Sequence, residues 1–339
     1  MFFAVALPHL YIAAAVVIAS IFPFAYRSWH KETNDLMQKL SEEGHAAPHD
    51  EDDECITFSV LKERIKGLPK VVQQWMEAAL PLPPTSSDDE AMIPFARRLR
   101  IEQEGTFLLN KQWIKFSATQ EFSCRQTHPG FVWDAEMHNP LLGSCTVTVP
   151  IAVRDAYIHG TGGIMKAQLP LGIPVVNMKD TDDLNLGEIM RWLAEATLFP
   201  FALLPQDHES SDETRLRWTV NPDSSDTSAI LEFKHNNQTA KMTYFFDPDT
   251  HLPTTVKAKR PKMTGNKTEL ADWEGHFSYY ELHGGLMVPT KMEVGWKTSN
   301  IDCPLLELYF KGKNMKFIYL MNARTRHEYG SDEMHGHSD

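Results

Sequence analysis

The spacing of apolar residues changes character twice along the chain. At the start they run together: Phe2 to Tyr26 is interrupted only by Pro8, His9, Ser20 and Pro23. With Pro8 and His9 at a boundary, Leu10 to Tyr26 reaches the short end of a membrane span, which usually needs about 20 residues. A cleaved signal peptide is the rival reading, with Val17-Ile18-Ala19 as the small-residue site. No basic n-region precedes the run, which favours a retained span. A helical period then appears at Leu68 to Leu80, where Val71, Val72, Trp75, Met76, Ala79 and Leu80 recur and Pro81 stops the pattern. Ile56 to Ile65 is weakly periodic, and Ala91 to Arg98 reads as a short helix or turn.

From about residue 105 the period becomes two. Ile114, Phe116, Ala118 and Phe122 alternate with polar residues, and so do Phe131, Trp133, Ala135 and Met137. Val147 to Val153 continues in phase to Asp155 and Tyr157. One helical stretch, Leu184 to Leu204, interrupts the series, with Asp183 or Asn185 to cap it and Pro200 to end it. Alternation resumes at Leu216–Val220, Ala229–Phe233, Met242–Phe246, Val256–Arg260, Trp273–Tyr279, Val288–Trp296, Leu306–Phe310 and Met315–Met321. Strands that follow one another without intervening helices exclude a parallel βαβ sheet. So many strands in one antiparallel sheet must twist and curl. The expected fold is therefore α+β: a large curved antiparallel sheet, a half-barrel or open barrel. Helices cover its concave side, and one N-terminal transmembrane helix precedes it. The expected organisation is an anchor at 1–27, a flexible acidic tether at 28–55, one β-rich domain at 56–323 and a disordered His/acid tail at 324–339.

Composition adds limits. The 339 residues carry 33 Lys+Arg against 45 Asp+Glu, a net charge of −12, which argues against nucleic acid as a partner. Arg27, Lys31 and Lys39 follow the apolar run and place the bulk of the chain on the cytoplasmic side. The sequons Asn237-Gln238-Thr239 and Asn266-Lys267-Thr268 point to the other side, so the reading is single-pass membrane with its side open. Cys55, Cys124, Cys145 and Cys303 lack zinc-like spacing. Cys124 and Cys145 could pair in an oxidising compartment, and free thiols are the preferred reading. No metal or cofactor motif appears.

Several segments resemble a widespread family of uncharacterised proteins, a domain of unknown function. They are Gly67-Leu68-Pro69, Phe131-Val132-Trp133-Asp134-Ala135, Asp155-Ala156-Tyr157 with Gly160 and Gly162, Gly187-Glu188 with Arg191-Trp192-Leu193-Ala194-Glu195, and Leu203-Leu204-Pro205. The likeness spans roughly residues 60 to 300 and implies no activity. In architecture the pattern also resembles periplasmic lipoprotein carriers, in which a curved sheet wraps helices around an apolar cavity; fold alone does not give function.

The polar groups of interest sit on this frame. Glu188, Arg191 and Glu195 share one helical face, opposite the apolar stripe and near Trp192. A solvated ion-pair face is the plain reading; if the helix is covered on both sides, the set is a buried network. Asp155 and Arg260 continue inward phases and need partners, each other among the candidates. Asp134 falls on the outward phase. Two functions follow. The first is a membrane-tethered binding or carrier module for a lipid-like ligand, lined by Trp133, Tyr157, Glu188, Arg191, Trp192, Glu195, Arg260 and Trp296. The second is a hydrolase-type enzyme using Glu188, Arg191 and Glu195 with Asp155.

Overall fold

The computed structural model describes residues 6–43, 57–80, 91–93, 95–109, 111–140, 148–205, 214–264, 267–297 and 306–321. The acidic run Asp50 to Glu54, the expected tail at 324–339, Cys55, Cys145 and Cys303 lie outside them. Helix α1 is Ala6–Glu43, α2 is Phe58–Ile65 and α3 is Lys70–Ala79. Six strands follow: β1 (Ala96–Leu109), β2 (Gln112–Ser123), β3 (Gly130–Pro140), β4 (Thr148–Ile158), β5 (Gly162–Leu169) and β6 (Ile173–Lys179). Helix α4 (Asp182–Glu195) then leads through two 3-10 turns, Ala196–Leu198 and Pro200–Leu203. The second run is β7 (Thr214–Val220), β8 (Ser228–His235), β9 (Gln238–Phe246), β10 (Pro253–Thr264), β11 (Lys267–His283), β12 (Leu286–Lys297) and β13 (Leu306–Met321).

All thirteen strands form one antiparallel sheet in the order β6-β5-β4-β3-β2-β1-β13-β12-β11-β10-β9-β8-β7. Helix α4 touches β3, β4 and β5 on one flank and β9 and β10 on the other. A flat sheet could not bring those flanks to one helix, so the sheet wraps around α4 as a half-barrel. The expected α+β architecture is thus the observed one. Its concave face and the inner helices share a single core, from Leu99, Phe122 and Phe131 to Trp192, Phe199, Phe233 and Tyr244.

The apolar segment after α4 is buried, so its backbone needs internal partners. Side chains from the sheet and from the β2–β3 loop supply donors. Gln126 Nε2 donates to the carbonyls of Ala202 and Leu204, Trp218 Nε1 to Leu203, Tyr244 to Leu193 and Tyr319 to Leu198. Thr181 caps α4 by accepting from the Leu184 amide, and Asp182 and Asp183 sit in its first turn, where the helix dipole favours acids. Asn185 Oδ1 accepts from the Gly163 amide at 2.6 Å and fixes the helix to β5.

Three expectations are corrected. Ala91–Arg98 is not a helix; Ala96 already begins β1, where a register irregularity between Ala96 and Arg98 and the exposed Arg100, Glu102 and Glu104 hide the alternation. Strands β5 and β6 are absent from the expected series; Gly162 and Gly163 at the start and Pro170 and Pro174 further on leave little alternation to read there. The turn at Gly160 and Gly162 is real, with φ of 70° and 82°, values that favour glycine. Finally, the change at residue 27 is no structural boundary. Helix α1 continues to Glu43, so residues 28–43, read as a flexible tether from their charge, are helical and packed on the convex face. A stripe at helical spacing does this: Trp29, Thr33, Leu36, Met37 and Leu40. Leu36, Met37 and Leu40 cover Val132, Ala156, Ile158 and Ile164. Among the described residues no helix is long and apolar enough to cross a membrane. The expected span at 1–27 falls mainly on residues whose side chains lie outside the described set.

Candidate functional site

Cross-strand register builds the floor of the site. Gln120 of β2 stands opposite Trp133 of β3, and Trp133 stands opposite Asp155 of β4. All three share the inward phase, so they form one row across the concave face. Helix α4 lies over that row. Arg191 Nη1 meets Asp155 Oδ2 at 2.5 Å, and Arg191 Nε donates to both oxygens of Glu195 at 3.2 Å. Gln120 Nε2 donates to Glu195 Oε2 at 2.9 Å and its own Oε1 accepts from Gln103 at 3.1 Å. The guanidinium of Arg191 also lies over the rings of Phe131 and Trp133, 4.7 and 5.3 Å from their centroids.

Arg260 enters from β10. Its Nε donates to the carbonyl of Gly187 at 3.1 Å, and its Nη2 is 4.0 Å from Glu188 Oε2. Its guanidinium lies 5.5 Å from the Trp273 ring centroid. Tyr309 Oη accepts from Trp273 Nε1 at 3.1 Å, and Arg260 Nη1 is 3.5 Å from the same oxygen. Asp155 and Arg260 therefore do find partners, though not each other. Asp134, on the opposite phase, accepts from Trp29 Nε1 of α1 at 2.8 Å.

Burial sets the protonation behaviour. Glu188 is 2% exposed; burial first, then the neighbouring Asp155 carboxylate, pushes its pKa well above the ordinary carboxylate range, against the pull of Arg260 and Arg191. Burial also raises Glu195, opposed by Arg191 and Gln120. Burial works against the charge of Arg191, but Glu195, Asp155 and Glu188 outweigh it and hold the guanidinium charged.

Two buried polar atoms around this network, Gln103 Oε1 and Trp133 Nε1, have no hydrogen-bond partner among the described residues, whereas the Glu188 and Asp155 carboxyls, which lack a donor while both are ionised, are hydrogen-bonded to each other once Glu188 holds its proton. Unpaired buried groups of this kind are rare in folded proteins and call for an explanation.

The polar row divides the concave face. On one side Phe122, Phe131 and Tyr157 are sealed by Trp192, Phe199 and their neighbours. On the other, Phe107, Val153, Ala167, Val294, Trp296 and Phe310 pack against the core yet remain partly exposed. The structure thus brings Trp133, Asp155, Glu188, Arg191, Glu195 and Arg260 together, with Trp296 on the open side, stacked on Tyr309. Trp192 and Tyr157 lie on the sealed side. Trp192 is fully buried, stacked on Phe233 and bonded to the Ser123 carbonyl at 2.9 Å, so it is core. Gln103 and Gln120 were missed in the sequence; both sit on inward phases of β1 and β2, which is the signal that could have revealed them.

A second concavity, of about 640 Å³, lies between α1 and the convex face. Tyr26, Trp29, Glu102, Asp134, Glu136 and Lys316 are among its walls. Among the described residues no group of three or more His, Cys, Asp or Glu side chains is arranged to hold a metal ion. Cys124 is buried and free.

Three solved structures align with the chain at low similarity. A DUF1329 family protein from Desulfovibrio piger aligns at 14% identity over 66% of this chain and 84% of its own, with a TM-score of 0.34. A LolA superfamily protein from Nitrosomonas europaea aligns at 9% identity over 74% and 91%, with a TM-score of 0.31. A putative outer membrane lipoprotein-sorting protein domain from Vibrio parahaemolyticus aligns at 11% identity over 67% and 88%, with a TM-score of 0.34. Likeness at that level carries no argument about function. No curated protein matches the chain in sequence. One family does match, over residues 58–308, a stretch that contains Gln103, Gln120, Trp133, Asp155, Glu188, Arg191, Glu195 and Arg260 and ends just before Tyr309: the chain belongs to the family of unknown function DUF6544.

Proposed function

We propose that the protein is a binding module for an apolar, lipid-like molecule seated on the concave face of the half-barrel. One observation carries the reading. The partly exposed apolar surface of Phe107, Val153, Val294, Trp296 and Phe310 ends at a buried polar cluster that holds unpartnered atoms. An amphiphile matches both halves: its chain covers apolar surface, worth about 25 cal/mol per Å², and its head meets groups the fold leaves unpaired. The apolar run Leu10 to Tyr26 supports a tether that holds this site beside a bilayer. Such a molecule reaches the module from a membrane without crossing water.

The test is displacement of bound amphiphile by bulk in the groove. Ala258 shares the inward phase of Val256 and Arg260 and stands opposite Trp273. Ala258→Trp should abolish lipid retention through purification while leaving the thermal midpoint within a few degrees. Equal retention by the variant would refute the concave site.

A second reading rests on the Asp155–Glu188 pair. Two carboxyls in one buried site, one held protonated, can serve as acid and base in hydrolysis. Hydrolysis of long-chain esters that is lost in both Asp155→Asn and Glu188→Gln, with binding retained, would establish it.

A further inference from the structure

The two atoms left over beside the polar row differ in kind: Gln103 Oε1 is an acceptor and Trp133 Nε1 a donor. The chain of amides fixes that assignment. Glu195 accepts from Arg191 Nε through both oxygens, so Gln120 turns its Nε2 to it as a further donor. Gln120 Oε1 then faces Gln103 Nε2, and Gln103 Oε1 is the end that remains. Both atoms border one patch of the concave floor. Gln103 stands opposite Ala118, and Ala118 opposite Ala135. Trp133 lies one inward step from Ala135, and its ring is 5.7 Å from that of Phe116, the inward residue beyond Ala118. The indole thus leans along the alanine pair, next to the strand that carries Gln103. The charges of the cluster balance. Arg191 and Arg260 supply two positive charges and Asp155 and Glu195 two negative ones, while Glu188 holds its proton and is bonded to Asp155. A carboxylate or phosphate head would add an uncompensated anion to this low-dielectric site. An ammonium would be balanced only by ionising Glu188, which sets two carboxylates against each other.

From this arrangement we infer that the ligand's head is a single uncharged hydroxyl, held between Gln103 and Trp133: the module takes a long-chain alcohol in preference to a fatty acid, an amine or an ether of the same size. The inference rests on the concave-site reading above and names the chemistry of its polar end. A hydroxyl donates and accepts at one oxygen. Its hydrogen goes to Gln103 Oε1, its oxygen accepts from Trp133 Nε1, and no charge enters the cluster. Arg191 stays on Asp155 and Glu195, and Glu188 keeps its proton. An ether accepts from Trp133 in the same way but leaves Gln103 Oε1 unpaired. The apolar chain runs outward toward the partly exposed Phe107 and Phe310.

The experiment titrates the full chain, held in phosphatidylcholine nanodiscs, with hexanol, methyl pentyl ether, hexanoate and hexylammonium by calorimetry at pH 7, with empty nanodiscs as the blank. Hexanol should bind at least tenfold more tightly than each of the other three, because a site built around a hydroxyl rejects a group that leaves its buried polar atoms unpaired. Trp133→Phe keeps a ring beneath Arg191 but removes the donor, and should weaken hexanol at least fivefold. Should that variant not fold, the four probes on the wild-type chain decide alone. A smaller preference over the ether would show that Gln103 takes no hydrogen from the head. Hexanoate binding as well as hexanol would place the head at Lys262, whose ammonium is 5.3 Å from the Trp296 ring. Either result, a hexylammonium affinity within tenfold of hexanol, or a folded Trp133→Phe chain that binds hexanol unchanged would overturn the inference and leave the concave site standing. Failure of all four probes to bind, or hexanol binding that survives Ala258→Trp, would remove both.

Discussion

Arg191 of α4 and Asp155 of β4 meet at 2.5 Å, and through that contact the one long inner helix is ionically tied to the sheet that wraps it. Both side chains are largely buried, at 15% and 10% exposure. A pair in such surroundings gains little net stability over an apolar pair, but breaking it strands a charge. Arg191→Met leaves both Asp155 and Glu195 without their guanidinium and should cost about 3–5 kcal/mol in urea unfolding. Adding Asp155→Asn should recover a coupling of about 1–3 kcal/mol. A loss below about 1 kcal/mol for the single change would mean that the network is solvated.

Glu188→Gln should act differently with pH. The native pKa of Glu188 is raised, so the folded protein holds a proton that the unfolded chain releases. Stability from this group is complete below about pH 4 and falls as pH rises from the unfolded value toward the native one. The amide variant escapes that loss, so its advantage over the parent should grow between pH 4 and pH 7. Parallel stability curves for the two proteins would show that Glu188 is ionised at no cost.

Sequence alternation made the strands from β2 to β4 and from β7 to β13 legible, and with them the inward placement of Trp133, Asp155 and Arg260. It also gave the one-sided grouping of Glu188, Arg191 and Glu195. Partners were less accessible, because a strand phase tells which face a side chain takes and not which element lies over it. Asp155 met Arg191 rather than Arg260 for that reason. Residues 28–43 show another limit. Their many charges dominate a compositional reading, while the few side chains that bind the sheet, Trp29, Leu36 and Leu40, are spread along the helix.

The attachment of α1 to the convex face is the next point to test. Arg154 is fully buried, donates through Nη2 to the Trp29 carbonyl at 2.7 Å and through Nε to Thr33 Oγ1 at 3.1 Å, and lies 4.0 Å from the Trp29 ring centroid. Its Nη1 is 3.0 Å from Glu32, which also binds Lys166. Arg154→Met should raise hydrogen exchange across residues 29–43 by at least tenfold while the core of β8 and β9 stays protected. Uniform protection in the variant would show that the helix is held by its apolar stripe alone.

Acid should loosen the same attachment. Burial opposes ionisation of Glu32, but Lys166 and Arg154 outweigh it and lower its pKa. Its contribution is present above the ordinary carboxylate value and is lost as pH falls through the lowered one. Exchange in α1 should therefore rise below about pH 4, and Glu32→Gln should show that higher rate already at neutral pH.

A histidine group joins distant strands at one end of the half-barrel. His159 Nδ1 and His235 Nε2 are 3.1 Å apart, and the rings of His128 and His159 are 4.7 Å apart. Burial, with His159 and His128 nearby, pushes His235 down to about 3. The unfolded chain then binds a proton near pH 6.5 that the native protein refuses, so stability falls as pH drops through that range. The loss attributable to His235 should reach up to about 3 kcal/mol by pH 4. His235→Gln should flatten this acid limb; an unchanged limb would place the acid sensitivity elsewhere.

Native mass spectrometry of the full chain, extracted from membranes in a mild detergent, addresses the binding role most directly. The expected spectrum shows one small amphiphile per chain, released by solvent and missing from Ala258→Trp. A parent protein that emerges with no bound molecule, or a variant that retains the same one, would contradict the assignment of the concave face as a binding site.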